Sequence, residues 1–467
     1  MKTFQTFKVF ILPLLAVLVL AACSDDDTTV IDDGEPFVVA FETPSGNLSE
    51  IENDRDIALV YSETATNTGQ VAITVASSNA VYGEDFTTVP AADGNTILLT
   101  INEGETGASV TFNKLNPSLD ETVEIRFNIS EVSYPNAQIQ GNTSFTLNSS
   151  ASLGRSFAPT VGGPNEQNQV YIDLSTEKQT TYQRDEWDLG FYSGSEFRVA
   201  INGSVYMAVA ELESTDIDAV SSSDVADIQA AVAVGTFDPA NEAYVDHPDG
   251  DINKTAISAI SSNNADNKVY LLNLGFEVGT ETPEPGSVAI AGDPRGYLKI
   301  RILRDGDAYL LQYAELDATT HTEVTIEKSP GYNFTFFSFN SNSVVNVAPE
   351  SELWDLNFTV FTNLIDGAGS YGFSDGVLHN RKGGVVSYQV ESDGYAEFTF
   401  DDVQAANFQQ DQRAIGSNWR DVLEGTLTPD VFYIIQDPNG NIYKLRFLAL
   451  TNDDGIRGYP EFEYELL

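Results

Sequence analysis

The stretch Val71-Ala72-Ile73-Thr74-Val75, followed by Ile97-Leu98-Leu99-Thr100-Ile101, decides the fold class. Large apolar residues recur at every second position, the spacing of a strand with one face buried and the other in water. Their β-branched side chains suit a pleated surface. Runs of the same kind stand on either side: Phe37-Val38-Val39-Ala40-Phe41, Ile57-Ala58-Leu59-Val60-Tyr61, Ala108-Ser109-Val110-Thr111-Phe112 and Val123-Glu124-Ile125-Arg126-Phe127-Asn128-Ile129. They lie about a dozen residues apart with Gly, Asn, Asp and Pro between them, which predicts an all-β sandwich.

Ser149 to Gly154 is a run of small residues that reads as a hinge, and beyond it the chain stays β-rich to its end. One short helix is expected within Ser223 to Val234, where Ser223 stands as a cap and Val225, Ile228, Ala231 and Val232 fall at helical spacing. An echo runs through this region. Trp187-Asp188-Leu189-Gly190-Phe191 follows the strand Val170-Tyr171-Ile172-Asp173-Leu174, and Trp354-Asp355-Leu356-Asn357-Phe358 follows Phe336-Phe337-Ser338-Phe339, with the tryptophans 167 residues apart. Two hairpins echo each other as well: Tyr297 to Leu303 with turn Asp305-Gly306, and Val431 to Ile435 with turn Asn439-Gly440. The region reads as a duplicated antiparallel β unit.

At the start of the chain, Lys2 and Lys8 precede an apolar run from Val9 to Leu20, and Leu20-Ala21-Ala22-Cys23 leads into Ser24-Asp25-Asp26-Asp27. A dozen apolar residues is short of the about 20 that span a membrane. The pattern resembles the lipobox of bacterial lipoproteins. That resemblance implies a signal peptide over 1–22, acylation of Cys23, an anchor in the outer membrane and an acidic linker over 23–34. The acids after Cys23 resemble the export signal of Bacteroidota surface lipoproteins, so the body is expected to face the medium.

The formal charge is −47, and losing residues 1–22, with two lysines and no acid, makes it −49. Such a surface repels polyanions, which excludes DNA and RNA as partners. Cys23 is the single cysteine, so no disulfide forms within the chain; 42% hydrophobic residues must supply packed cores instead. The length predicts two or three domains.

The segment Tyr82-Gly83-Glu84-Asp85-Phe86, with Glu103-Gly104-Glu105 and Asp120-Glu121-Thr122-Val123-Glu124, resembles the Calx-β family over residues 35–148. Some members bind calcium, and the resemblance implies Glu42, Asp85 and Asp120 as carboxylate candidates; turn carboxylates are the plainer reading. The duplicated Trp-Asp-Leu-x-Phe strands, Thr320-His321-Thr322-Glu323-Val324, Gly376-Val377-Leu378 and Ile415-Gly416-Ser417-Asn418-Trp419-Arg420 together resemble the HmuY family over residues 155–467. This implies an all-β surface lipoprotein that captures haem and passes it to an outer-membrane transporter.

Haem-binding members of that family clamp iron between two histidines or two methionines. This chain offers His247, His321 and His379, and Met207 alone beyond the signal segment. His379 is the leading cofactor ligand, with Arg381 on the same strand face for a propionate, and His321 is second; His247 lies in an acidic turn. Met207, in an apolar run, reads as core. Alternation with Leu189 and Leu356 places Trp187 and Trp354 in the core, whereas Trp419, after Gly416-Ser417-Asn418, is the expected exposed ring for ligand contact. The alternative function is a glycan-binding, adhesion or assembly module using loops around Trp419 or Tyr371. Catalysis is not expected: no thiol remains, and no Gly-x-Ser-x-Gly, His-Glu-x-x-His or phosphate-loop pattern occurs.

Overall fold

The computed structural model describes residues 36–48, 51, 53–117, 119, 123–148, 152–422 and 424–467. Cys23, the segment 1–22, the linker 23–34 and Asp120 lie outside the described residues. Up to Asn148 the chain forms two five-stranded sheets that share one core. Along Gly69–Ser78 the period of two is realised side chain by side chain: Val71, Ile73 and Val75 point inward against Ile97, Leu99 and Ile101 of the neighbouring strand. Burying each such side chain stabilises the fold by about 1.5–3 kcal/mol, which is how a chain without disulfides holds a sandwich together. Arg55 reaches Glu177 at 3.2 Å, and the Leu153 amide donates to Ser45 Oγ at 3.0 Å, so the sandwich touches the region beyond Gly154.

From Gly154 onward the duplication takes an interleaved form. Four sheets each draw strands from both halves of the region. Asn168–Asp173 pairs with Leu356–Ile365, and Leu189–Tyr192 pairs with Phe334–Ser338, so the strand before each Trp-Asp-Leu motif pairs with the strand after the other one. Gly154–Phe157, which opens the first half, completes a five-stranded sheet of the second; Thr322–Ile326, which opens the second, completes the matching sheet of the first. The fold is all-β, with a sandwich preceding an internally duplicated antiparallel unit.

The hairpin echo is offset by one strand from the sequence reading. Sheet order places Tyr297–Asp305 in the position of Ile442–Thr451, not of Val431–Gln436. Two buried lysines mark the correct register: Lys299 Nζ donates to the Val220 and Ala318 carbonyls, and Lys444 Nζ to those of Tyr395 and Phe398. The helix is also shorter than its spacing predicts. Ser222–Val225 is a single turn with a capping box between Ser221 and Asp224. Val225, Ile228 and Val232 still pack together, but the hydrogen bonds beyond Val225 mix three- and four-residue steps, so regular helix stops there.

Candidate functional site

The two Trp-Asp motifs are built alike down to single hydrogen bonds. The Asp188 amide donates to the Phe337 carbonyl (2.9 Å) while its carboxylate accepts from the Phe339 amide (2.6 Å). Asp355 repeats this with the Ile172 carbonyl and the Leu174 amide, both at 2.8 Å. Burial raises both carboxyls above their ordinary range; the Arg295 guanidinium, 2.7 Å from Asp188, opposes the effect there, whereas Asp173 adds to it at Asp355.

Two buried asparagines complete the frame. Asn202 donates its side-chain amide to the carbonyls of Arg184 (2.7 Å) and Trp187 (2.8 Å); Asn380 donates to those of Ser351 (2.6 Å) and Trp354 (3.0 Å). Each also caps a short 3-10 turn, Gly203–Val205 and Arg381–Gly383. The asparagines thus hold the backbone of both tryptophans from equivalent places.

Those tryptophans face a shared cavity of about 220 Å³ where the two halves meet. Trp354 meets Tyr171 edge to face at 4.9 Å, and Trp187 meets Phe336 at 4.8 Å, each ring braced by the other half's strand. The strands begin only at Leu189 and Leu356, so the tryptophans precede them and stay half-buried, packed against the cluster of Tyr171, Phe336, Val347 and Ala348 and less enclosed than alternation predicts. Asn333, Asn357 and Gln169 add amides to the wall, and Lys382 adds an ammonium. Gln169 anchors its own amide on the Val347 carbonyl at 2.9 Å.

The histidines do not form a clamp. His321 lies outside the cavity lining, 2.9 Å from Asp218 and 3.4 Å from Glu323, which raise its pKa. His379 borders the cavity, but its ring is 1% exposed and its Nδ1 lies 2.7 Å from Ser387 Oγ. In the hydrogen-bond register of the two halves, His379 stands where the first half has Ile201, and each pairs with the leucine of its motif. It is a core position. Burial pulls its imidazole down to about 4, with Asp411 pushing the other way. His247 lies on the same wall as His379, connected to it through Gln412, which receives the His379 amide on its carbonyl and bonds Pro248 and Asp249. Axial ligands must approach iron from opposite faces, and Met207 is packed in a core cluster. The cavity is also smaller than the about 300–1,000 Å³ of pockets that enclose drug-sized ligands. The residues present do not fit a haem held by two protein side chains.

Trp419 is a correction too. It is 2% exposed, stacked on Phe447 at 4.1 Å, with its indole N–H donating to the Asp375 carbonyl (3.0 Å). Tyr371 is exposed (41%) beside Phe237 (64%). Arg381 donates to the Asp249 carbonyl at 3.1 Å and sits 3.5 Å from Asp251, fastening the loop that carries His247. In the sandwich, Glu42 is exposed, and Asp85 accepts from the Val81 amide and the Asn116 side chain, both at 2.8 Å, which lowers its pKa. Among the described residues no three His, Cys, Asp or Glu side chains converge as a metal site. Sequence reading did not single out Asn202, Asn380, Tyr171, Phe336 and Lys382; Tyr171 and Phe336 lie in the echoed strands, and Asn202, Asn380 and Lys382 follow the two motifs along the chain.

Fold and cavity together define an all-β, internally duplicated protein with twin tryptophans at the junction of its halves. The family model of the HmuY protein matches residues 165–464, and the chain belongs to the HmuY family. Among solved structures, the apo-form Calx CBD1 domain is 14% identical, with 24% of this chain and 96% of that one covered and a TM-score of 0.19. A putative carbohydrate binding protein from Bacteroides ovatus is 9% identical, with 73% and 96% covered and a TM-score of 0.15. No curated protein matches the chain. Among the described residues no helix is long and apolar enough to cross a membrane.

Proposed function

We propose that this chain is a non-enzymatic binding protein, tethered at the cell surface through Cys23, that captures a small ring-bearing ligand between Trp187 and Trp354. The observation that carries the reading is the cavity itself: two half-buried indoles, each braced edge to face and held by a buried asparagine, with amides placed around them. Rigid aromatic walls with a few fixed polar groups are how proteins hold small cyclic ligands. The sandwich serves as a spacer from the membrane, and transfer to an outer-membrane transporter is the use the family suggests. A glycan held on the exposed Tyr371 and Phe237 is the second reading, favoured by their exposure alone.

Tryptophan fluorescence tests this with the full chain in detergent. Small cyclic ligands should quench the emission of Trp187 and Trp354, and the W187A/W354A pair should abolish both quenching and binding measured by calorimetry. Binding that survives the double substitution overturns the cavity reading. Haemin should give no Soret band of a six-coordinate iron, and such a band lost in His379→Ala would restore the haem clamp.

A further inference from the structure

We propose that the ligand of this cavity is a ring bearing a carboxylate, and that Lys382 is the cation that receives it; this rests on the cavity reading above. The internal duplication supplies its own comparison. The capped turn Asn380 to Gly384 is repeated at Asn202 to Tyr206: each asparagine caps a 3-10 turn, the fifth residue of each turn is left-handed, and the next amide returns to the asparagine carbonyl, from Met207 at 3.3 Å and Val385 at 3.0 Å. Register places Ser204 where the second half has Lys382. The turn therefore forms without an ammonium, so the fold does not explain the lysine.

Its protein surroundings hold it by one carbonyl and by carboxylates beyond ion-pair distance. Lys382 Nζ donates to the Gly250 carbonyl at 3.0 Å and stands 5.2 Å from the centre of the Phe334 ring. Among the described residues no carboxylate lies within 4.0 Å of that nitrogen, although the chain carries 70 acids against 23 lysines and arginines. The three carboxylates that act on it from farther off are engaged elsewhere: Asp246 accepts from the amides of Ile201 (2.9 Å) and Ala256 (2.8 Å), Asp249 from Lys254 Nζ (2.6 Å) and the Asp251 amide (2.9 Å), and Asp251 from the Asn253 amide (3.0 Å) with Arg381 at 3.5 Å. The ammonium thus faces the cavity with donors to spare, in a protein whose overall field repels anions and which needs a local cation to admit one. Desolvation depresses its pKa to about 8, which an anionic partner would reverse.

The ligand class is then an aromatic or saturated ring of one or two fused cycles with a carboxylate at one end. Calorimetry on the full chain in detergent, with benzoate, 2-naphthoate and indole-3-carboxylate, each beside its primary amide, tests it. The carboxylates should bind at least tenfold more tightly than their amides. K382S, which places in this turn the residue its counterpart already carries, should fold as the parent does by near-ultraviolet circular dichroism and lose that preference; K382R should keep it. Equal binding of acid and amide by the parent, or a preference that persists in K382S, overturns the carboxylate assignment and leaves the cavity reading standing. If neither acid nor amide binds the parent and W187A/W354A changes nothing, the cavity reading falls, and this inference with it.

Discussion

His379 shows how one residue can carry two opposed readings. A histidine beside Arg381 at a strand end suits a metal ligand and a propionate, yet its place in the molecule is that of Ile201 in the other half, with Ser387 taking up Nδ1 while the buried Nε2 has no hydrogen-bond partner. Because burial pulls the imidazole down to about 4 from the usual 6.5, the folded chain refuses a proton that the unfolded chain accepts across that interval. Stability contributed by the neutral ring is therefore complete above about pH 6.5 and is lost as pH falls toward 4. At 1.36 kcal/mol per pKa unit the loss is at most roughly 3 kcal/mol. Urea unfolding at pH 7 and pH 4.5 should show the parent losing about 2 kcal/mol more than His379→Gln over that step. An identical pH dependence in the two proteins would mean the ring is not desolvated, and the core assignment would be wrong.

At the scale of elements, the asparagine-capped turns connect the sheets to the cavity. Asn380→Ala strands the Ser351 and Trp354 carbonyls and removes the acceptor of the Gly383 amide and the Asn333 side chain. Unpartnered buried groups cost about 1–3 kcal/mol each. Relaxation and water recover part of this, so a destabilisation of about 2–4 kcal/mol is expected, with a red shift of Trp354 emission as its backbone loosens. A shift without loss of stability would make the turn a local clip only. These turns also mark where reading by sequence ends. Val71, Ile73 and Val75 announce their strand because alternation is local. Trp187 and Trp354 announce a duplication, but a two-residue step from Leu189 or Leu356 says core only if the strand already runs, and it starts at the leucine. Trp419 follows a loop sequence, and what buries it is Phe447, brought in by a distant strand. Asn202 and Asn380 share only the asparagine, standing 15 and 26 residues after their tryptophans, which local pattern does not flag.

For the whole molecule, the decisive property is that neither half of the duplicated region closes its own sheets. Leu189–Tyr192 needs Phe334–Ser338, and Asn168–Asp173 needs Leu356–Ile365. Gly154–Phe157 waits for Arg457–Leu466 at the far end of the chain. Contacts this distant in sequence carry a loop-closure cost before they stabilise anything, so the region gains its stability only when both halves are present. The sandwich, with its core drawn entirely from Phe37 to Leu147, has no such dependence. Calorimetry of the full chain should accordingly resolve two transitions, one for the sandwich and one for the region beyond Gly154, the latter single despite its duplication. Segments 152–318 and 319–467, expressed apart, should each show exposed tryptophan emission and no cooperative unfolding, and mixing them should restore both. Cooperative unfolding of either segment alone would mean that the duplicated halves are independent units, and the junction that forms the cavity would then be a docking surface between them.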